Sequence, residues 1–324
     1  MPNVYFQGAE LYMSSGASAT AVAKVDRVQD IQVDSSIPRA QTSVIGKFKP
    51  LNDQPVINYT PTSLSVSYMK GNKDVERNLG LLNSTGIGVQ IGQGTDVSDW
   101  GARNYQIMNV PTYGAAQSLQ YAGQWDVVSG VLKSFSLQGS VGEVVKGSFS
   151  VEGLDLRQVT NNAGRTIPNY SGNLIKPQGV TITGIDFTGF GLTGLTIQSF
   201  SFQASFDHAQ TFRLGSQYPE RRVTSIGAAL QIVGFMEGAS NALSSMTGYD
   251  AGSPYNGDYV LTLQPSCGPE PTTVITMSQP YLTSQSLGVQ VGNFTQISMG
   301  FAVPVSVIAF EATGAGMGSN VRIT

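Results

Sequence analysis

The sequence predicts an all-β, mostly antiparallel chain made of two related halves, each carrying one short helix. Three observations lead there. Apolar and polar residues alternate with a period of two over several stretches, the signature of half-buried strands. Glycine is abundant, with 38 residues in 324, while charged residues make up only 12%, about half the share of an ordinary soluble domain. Finally, a segment of the first half recurs in the second.

The repeat begins at residues 28–50, which align without gaps to residues 197–219 at an offset of 169. Gln29/Gln198, Ser36/Ser205, Ala40/Ala209, Gln41/Gln210, Thr42/Thr211, Gly46/Gly215 and Pro50/Pro219 are identical. Ile31, Val33 and Ile37 alternate with polar residues, as do Phe200, Phe202 and Phe206, so both copies direct the same face inward. Residues 65–71 match 232–238 at an offset of 167. A short helix is expected after each: 74–82, with Val75, Leu79 and Leu82 at helical spacing, and 239–246, with Ala239, Ala242, Leu243 and Met246. Residues 104–111 resemble 258–265 at an offset of 154. A hairpin closes each half: 131–141 with 144–151, and 282–291 with 295–303, related by an offset of 150. In the first hairpin Val131, Phe135, Leu137 and Val141 share one side and Ser134, Ser136, Gln138 and Ser140 the other, with Gly142 at the turn. One such match is weak, but the same order kept throughout with falling offsets is not.

This divides the chain into a first module, 1–160, with an N-terminal arm and a loop insertion over 85–124, and a second module, 161–324, with a C-terminal arm. Residues 154–179, with an Asn-Asn-Ala-Gly run and two prolines, read as the connector. The repeat turn positions are Gly46, Pro50, Gly215, Pro219, Gly142 and Gly292.

The composition excludes several functions. One cysteine, Cys267, makes no internal disulfide and no cysteine-based zinc site. A net charge of -3 without a basic run argues against sequence-reading of nucleic acid. No apolar stretch approaches the roughly 20 residues of a membrane-spanning helix, and no signal-peptide pattern opens the chain, so synthesis in a cytoplasm is expected. His208 lacks any nucleophile context, and its repeat counterpart is Arg39; both read as surface or interface contacts. Gly314, Gly316 and Gly318 lack the following helix of a dinucleotide loop. Gly86–94 lacks the Lys-Ser/Thr of a phosphate loop, and Asp96 with Asp99 lacks further calcium ligands. Arg221 and Arg222 form the one adjacent basic pair and read as a salt bridge to a neighbouring subunit in preference to a phosphate contact; Trp100 and Trp125 read as core or interface residues. No enzyme, metal or cofactor is expected. Few charges guard the strand edges, which implies pairing with partners in a controlled polymer.

Three stretches resemble the tail tube, or major tail, proteins of long-tailed bacteriophages. They are 28–68, with Ile37-Pro38-Arg39 and Ile45-Gly46; 133–151, with Ser134-Phe135-Ser136-Leu137-Gln138-Gly139; and 197–235, with Leu214-Gly215 and Pro219-Glu220-Arg221-Arg222. The resemblance implies two β-sandwich or barrel-like modules whose sheets join into stacked rings forming a hollow tube, a virion component assembled in the host bacterial cytoplasm. Its partners would be further copies of itself, as a trimer or hexamer per ring, other tail proteins, and double-stranded DNA passing without specific binding. Two modules per chain suggest three chains in a pseudo-six-fold ring; a plain hexamer is the alternative. Arg39, His208, Arg221, Arg222 and Trp100 are then the expected assembly contacts. A fibre or receptor-binding or decoration protein of the tail is the competing reading.

Overall fold

A computed structural model describes residues 6–14, 22–25, 27–35, 61–71, 75–76, 79, 81, 89–90, 102–111, 123–159, 174–185, 195–214, 218–236, 257–264, 273–288, 295–303, 306–307 and 321–323. The expected all-β, antiparallel fold is what forms. In chain order the strands are β1 (Phe6–Ser14), β2 (Val22–Lys24), β3 (Val28–Ser35), β4 (Thr62–Met69), β5 (Val89–Gln90), β6 (Arg103–Pro111), β7 (Gly123–Ser140), β8 (Lys146–Gly153) and β9 (Asp155–Val159). A 3-10 turn (Pro177–Gly179) precedes β10 (Val180–Thr183), followed by β11 (Thr196–Thr211), β12 (Glu220–Met236), β13 (Asp258–Leu263), β14 (Thr273–Ser278), β15 (Tyr281–Gly288), β16 (Thr295–Ala302), β17 (Ser306–Val307) and β18 (Val321–Ile323).

Eight strands form a continuous antiparallel run in the order β3-β4-β8-β7-β11-β12-β16-β15. The first four come from the first half and the last four from the second, and the internal order repeats. A smaller set accompanies each group: β2-β1-β6-β7-β9 in the first half and β10-β13-β14-β18-β5 in the second.

The irregularities repeat as well. A register shift lies between Val28 and Asp30 in β3 and between Ile197 and Ser199 in β11, so Gln29 and Gln198 occupy equivalent bulges, 169 residues apart. A shift between Leu132 and Ser134 in β7 recurs between Leu282 and Ser284 in β15, 150 residues apart. Ser129 has φ 51° and Gln279 φ 52°, again 150 apart. Tyr105 opposite Val127 corresponds to Tyr259 opposite Met277, matching the 154 offset. A bulge and a left-handed non-glycine residue are each uncommon; their coincidence in position is the strongest sign that one plan is used twice.

Ser129 and Gln279 explain how one strand serves two sheets. At Ser129 the continuous strand β7 turns from the small sheet into the large one. The counterpart breaks at Gln279 into β14 and β15.

Several expectations change. The 167 offset for residues 65–71 is a slip of one. Ladder pairing relates Leu64 to Leu230 and Val66 to Ile232, an offset of 166, and all four are buried. A one-residue slip in a strand exchanges its faces, and the earlier match would have set buried Val66 against outward-facing Val233. The insertion over 85–124, expected as a long surface loop or hairpin, is in part strand. It contains β6, which the first half requires as the counterpart of β13, and β5, which pairs with β18 in the second half's small sheet. The N-terminal arm is in part β1, paired to β6 over seven positions, and the C-terminal arm ends in β18. The connector 154–179 opens with β9. Val141 is 62% exposed and leaves the apolar side of its hairpin. Of the first expected helix, 74–82, the described residues show one helical turn's worth at Val75 and Glu76, with Leu79 N–H donating to Val75 O, and no full helix; the second, 239–246, lies outside the described residues.

The core lies between the inner face of the large sheet and the small sheets. Phe135, Leu137, Phe149, Phe202, Phe206 and Phe301 from the former meet Leu11, Tyr105, Tyr259 and Leu261 from the latter in a single buried cluster. Tyr105 approaches Phe149 at 6.3 Å between ring centres, and Tyr259 meets Phe301 edge-on at 5.0 Å. Each such buried side chain contributes about 1.5–3 kcal/mol.

Candidate assembly surface

The outer face of the eight-stranded sheet is made by the other half of each alternating strand. Following the register across it, Gln32, Ser65, Ser150, Ser134, Ser205 and Gly227 form one row. Ser148, Ser136 and Gln203 belong to the next. Serine hydroxyls cross-link neighbouring strands, Ser134 to Ser150 at 2.6 Å and Ser136 to Ser148 at 2.7 Å, and Gln231 Nε2 donates to Ser298 Oγ at 3.2 Å. The face is thus paved with hydroxyls and amides that satisfy one another.

Charge on it is sparse and mostly negative. Asp30, Asp34 and Asp207 are exposed. Lys146 pairs with Glu143 at 3.0 Å, and Lys133 with Glu152 at 3.5 Å. Among the described residues, Lys146 and Lys133 on this face therefore have carboxylates beside them.

The two halves meet at the β7–β11 seam. Backbone pairing runs from Ser199 opposite Ser140 to Ser205 opposite Ser134. On the inner side Phe202 faces Leu137, both fully buried. Phe200 lies across from Gly139, where an added Cβ would stand 2.7 Å from the Phe200 ring, so the glycine makes room for the ring. Beyond the ladder, Gln210 Nε2 donates to Glu152 Oε1 at 2.7 Å, and Arg221, its side chain 4% exposed, donates to Glu152 O and to Ser129 O at 3.1 Å.

His208 sits on β11 near this cluster. Its Nδ1 lies 3.0 Å from Phe206 O. Burial first, then the Lys133 charge, with a lesser share from Arg221, holds the imidazole below its ordinary pKa, against upward pulls from Phe206 O and Glu152. The Arg221 guanidinium is spent inside the chain, bridging the halves, where a subunit contact was expected. Pro219 is buried just ahead of β12, and Gly142 takes φ 90° in the β7–β8 turn, a conformation glycine adopts without penalty. Trp125 lies on β7 at 38% exposure and is not a core residue. Gly46, Pro50, Gly215, Gly292, Arg39 and Trp100 lie outside the described residues, as do the Gly86 and Gly314 runs, Asp96 and Asp99; the side chain of Arg222 is likewise outside them. Glu152 and the serine rows escaped sequence reading. The rows were legible in the alternation, but their alignment across strands depends on register.

Among the described residues no three His, Cys, Asp or Glu side chains gather to hold a metal ion, and no helix is long and apolar enough to cross a membrane.

No family model matches this chain, and no curated protein matches it. Among solved structures, the tail of an empty GTA particle, computed with helical refinement in C6 symmetry, is similar over 41% of this chain and 98% of that one, at 15% identity and a TM-score of 0.27. At that score the likeness carries no weight for fold or role.

Proposed function

We propose that this chain is a structural tail protein of a long-tailed bacteriophage whose sheets close into stacked rings, forming the tube through which double-stranded DNA passes. The observation carrying this reading is the hydroxyl- and amide-paved outer face of the eight-stranded sheet. A duct for a polyanion must be wetted without holding its cargo. Clustered unpaired Lys and Arg would bind phosphates and release counterions, and so retain the DNA. Serine and glutamine rows with scattered carboxylates do the opposite. The resemblance over 28–68, 133–151 and 197–235 supports the same role.

Three chains per ring follow from two modules per chain and a six-fold tube. No catalytic role is assigned: the groups acting on His208 are the Phe206 carbonyl, Lys133, Arg221 and Glu152, and none of these is paired with it as a nucleophile. The protein is then a virion component, made in the host cytoplasm, whose partners are its own copies and other tail proteins.

Electron microscopy of the purified chain tests this. Rings or hollow filaments of uniform width are expected, and native mass measurement should give three chains per ring. Six chains per ring would replace the pseudo-six-fold arrangement with a plain hexamer. A dispersed monomer at high concentration, or a slender trimer without a lumen, would reject the tube reading.

A further inference from the structure

The seam inside the chain has a counterpart outside it. β7 and β11 join the two halves, and the repeat places β15 where β7 stands and β3 where β11 stands. Among the described residues β3 pairs with β4 alone and β15 with β16 alone, so these two are the outer edges of the eight-stranded run. Eight alternating strands leave β3 and β15 antiparallel to each other, as β11 and β7 are. We infer that β15 of one copy pairs with β3 of the next by the same ladder that joins β7 to β11, in a register the internal seam prescribes.

That register follows from the two offsets confirmed by bulge positions. β11 residues lie 169 beyond their β3 counterparts, and β15 residues lie 150 beyond their β7 counterparts. Ser201 opposite Gln138 becomes Gln32 opposite Gly288. Phe202 opposite Leu137 becomes Val33 opposite Leu287. Gln203 opposite Ser136 becomes Asp34 opposite Ser286, and Ala204 opposite Phe135 becomes Ser35 opposite Gln285.

The chemistry of three of these pairs agrees, while the fourth, Ser35 with Gln285, sets a polar pair where the seam has buried Ala204 and Phe135. Val33 and Leu287 are half-buried apolar residues packed at the rim of the core, whereas Phe202 and Leu137 are fully buried. Pairing the edges would complete that burial. On the outer face Asp34 would receive the Ser286 hydroxyl, a charge-assisted hydrogen bond, and the large-small combination of Gln138 with Ser201 is kept, with sides exchanged, as Gln32 with Gly288. No charged side chain points inward along either edge to block the approach, which is how isolated sheets protect such edges.

This inference rests on the ring reading above, and the experiment separates the two. In a Cys267→Ser background, Asp34→Cys with Ser286→Cys places two exposed cysteines directly across the joint, where Cα atoms of opposed residues lie about 4.5–5.5 Å apart, within disulfide range. Asp34→Cys with Gly288→Cys is slipped by two residues, to about 7–8 Å. Assembled protein is oxidised and run without reductant. The matched pair should give a covalent ladder ending in one closed species, and the slipped pair about tenfold less product. Equal or stronger linking of the slipped pair overturns the register. Absence of linking in both, while microscopy shows rings, overturns the choice of edges and leaves the ring intact. Absence of rings in the unmodified protein overturns the tube reading and this joint together.

Discussion

Tyr68 and Gly147 face each other across β4 and β8, and an added Cβ on Gly147 would run into the Tyr68 ring. The equivalent pair in the second half is Gly234 with Ile297. Bulk has changed sides while the space stays filled, as close packing requires. Gly147→Ile alone should lower stability by about 1–3 kcal/mol through overpacking. Combined with Tyr68→Gly, the two should couple favourably by about 0.5–3 kcal/mol in a denaturant double-mutant cycle; additive losses would deny the exchange. Tyr68 also donates to Glu76 at 3.2 Å, and Lys70 Nζ to Glu76 at 2.6 Å, with both charged side chains fully buried. Met236 stands in the Lys70 position of the second half, buried at 3% exposure. A buried ion pair is replaceable by apolar groups but costly to halve. Lys70→Met should therefore cost about 3–5 kcal/mol, and Lys70→Met with Glu76→Leu should recover most of it in urea unfolding. His208 is held below its ordinary pKa chiefly by burial. Its neutral form is favoured in the fold, so its contribution is present above the unfolded pKa of about 6.5 and fades as pH falls below it. His208→Gln should be less destabilised than the parent between about pH 7 and pH 5 in thermal melts; parallel curves would mean the imidazole is not held neutral.

At the level of elements, the left-handed residue between the two sheet segments decides topology. Ser129 bends β7 without breaking it, anchored by Asn104 Oδ1 accepting from Ser129 N–H at 2.9 Å. Gln279 is exposed, and its N–H donates to Gly257 O at 3.2 Å. A left-handed conformation costs an L-residue roughly 1–2 kcal/mol, while glycine adopts it freely. Gln279→Gly should raise the melting temperature by a few degrees, and Gln279→Val should lower it. The opposite order would place the strand break elsewhere.

For the whole molecule, the prediction concerns the face, not the core. Ser136 and Gln203 are opposed on the outer side of the seam. Replacing both with lysine adds two cations per chain to this face, the wall in the proposed tube, without touching buried residues. If the proposed tube reading holds, Ser136→Lys/Gln203→Lys protein should bind duplex DNA with steep salt dependence and the parent should bind none in a mobility-shift or sedimentation assay. Unchanged behaviour would mean this face does not line the passage.

The division between sequence and tertiary structure follows from the range of each interaction. Alternation of apolar residues settles which side of a strand is buried, so the all-β class, the two closing hairpins and the offsets of 169, 154 and 150 were legible locally. The 166 offset was not, because Leu64 and Leu230 are matched by their ladder partners, and a shift of one residue alters no composition. The assignment of β5 to the far half's small sheet, the turning of Arg221 inward to Glu152, and the alignment of serines into rows are decided by residues distant in the chain that fold against one another. Periodicity records what a residue faces along its own strand; only the assembled sheet determines which neighbour stands beside it.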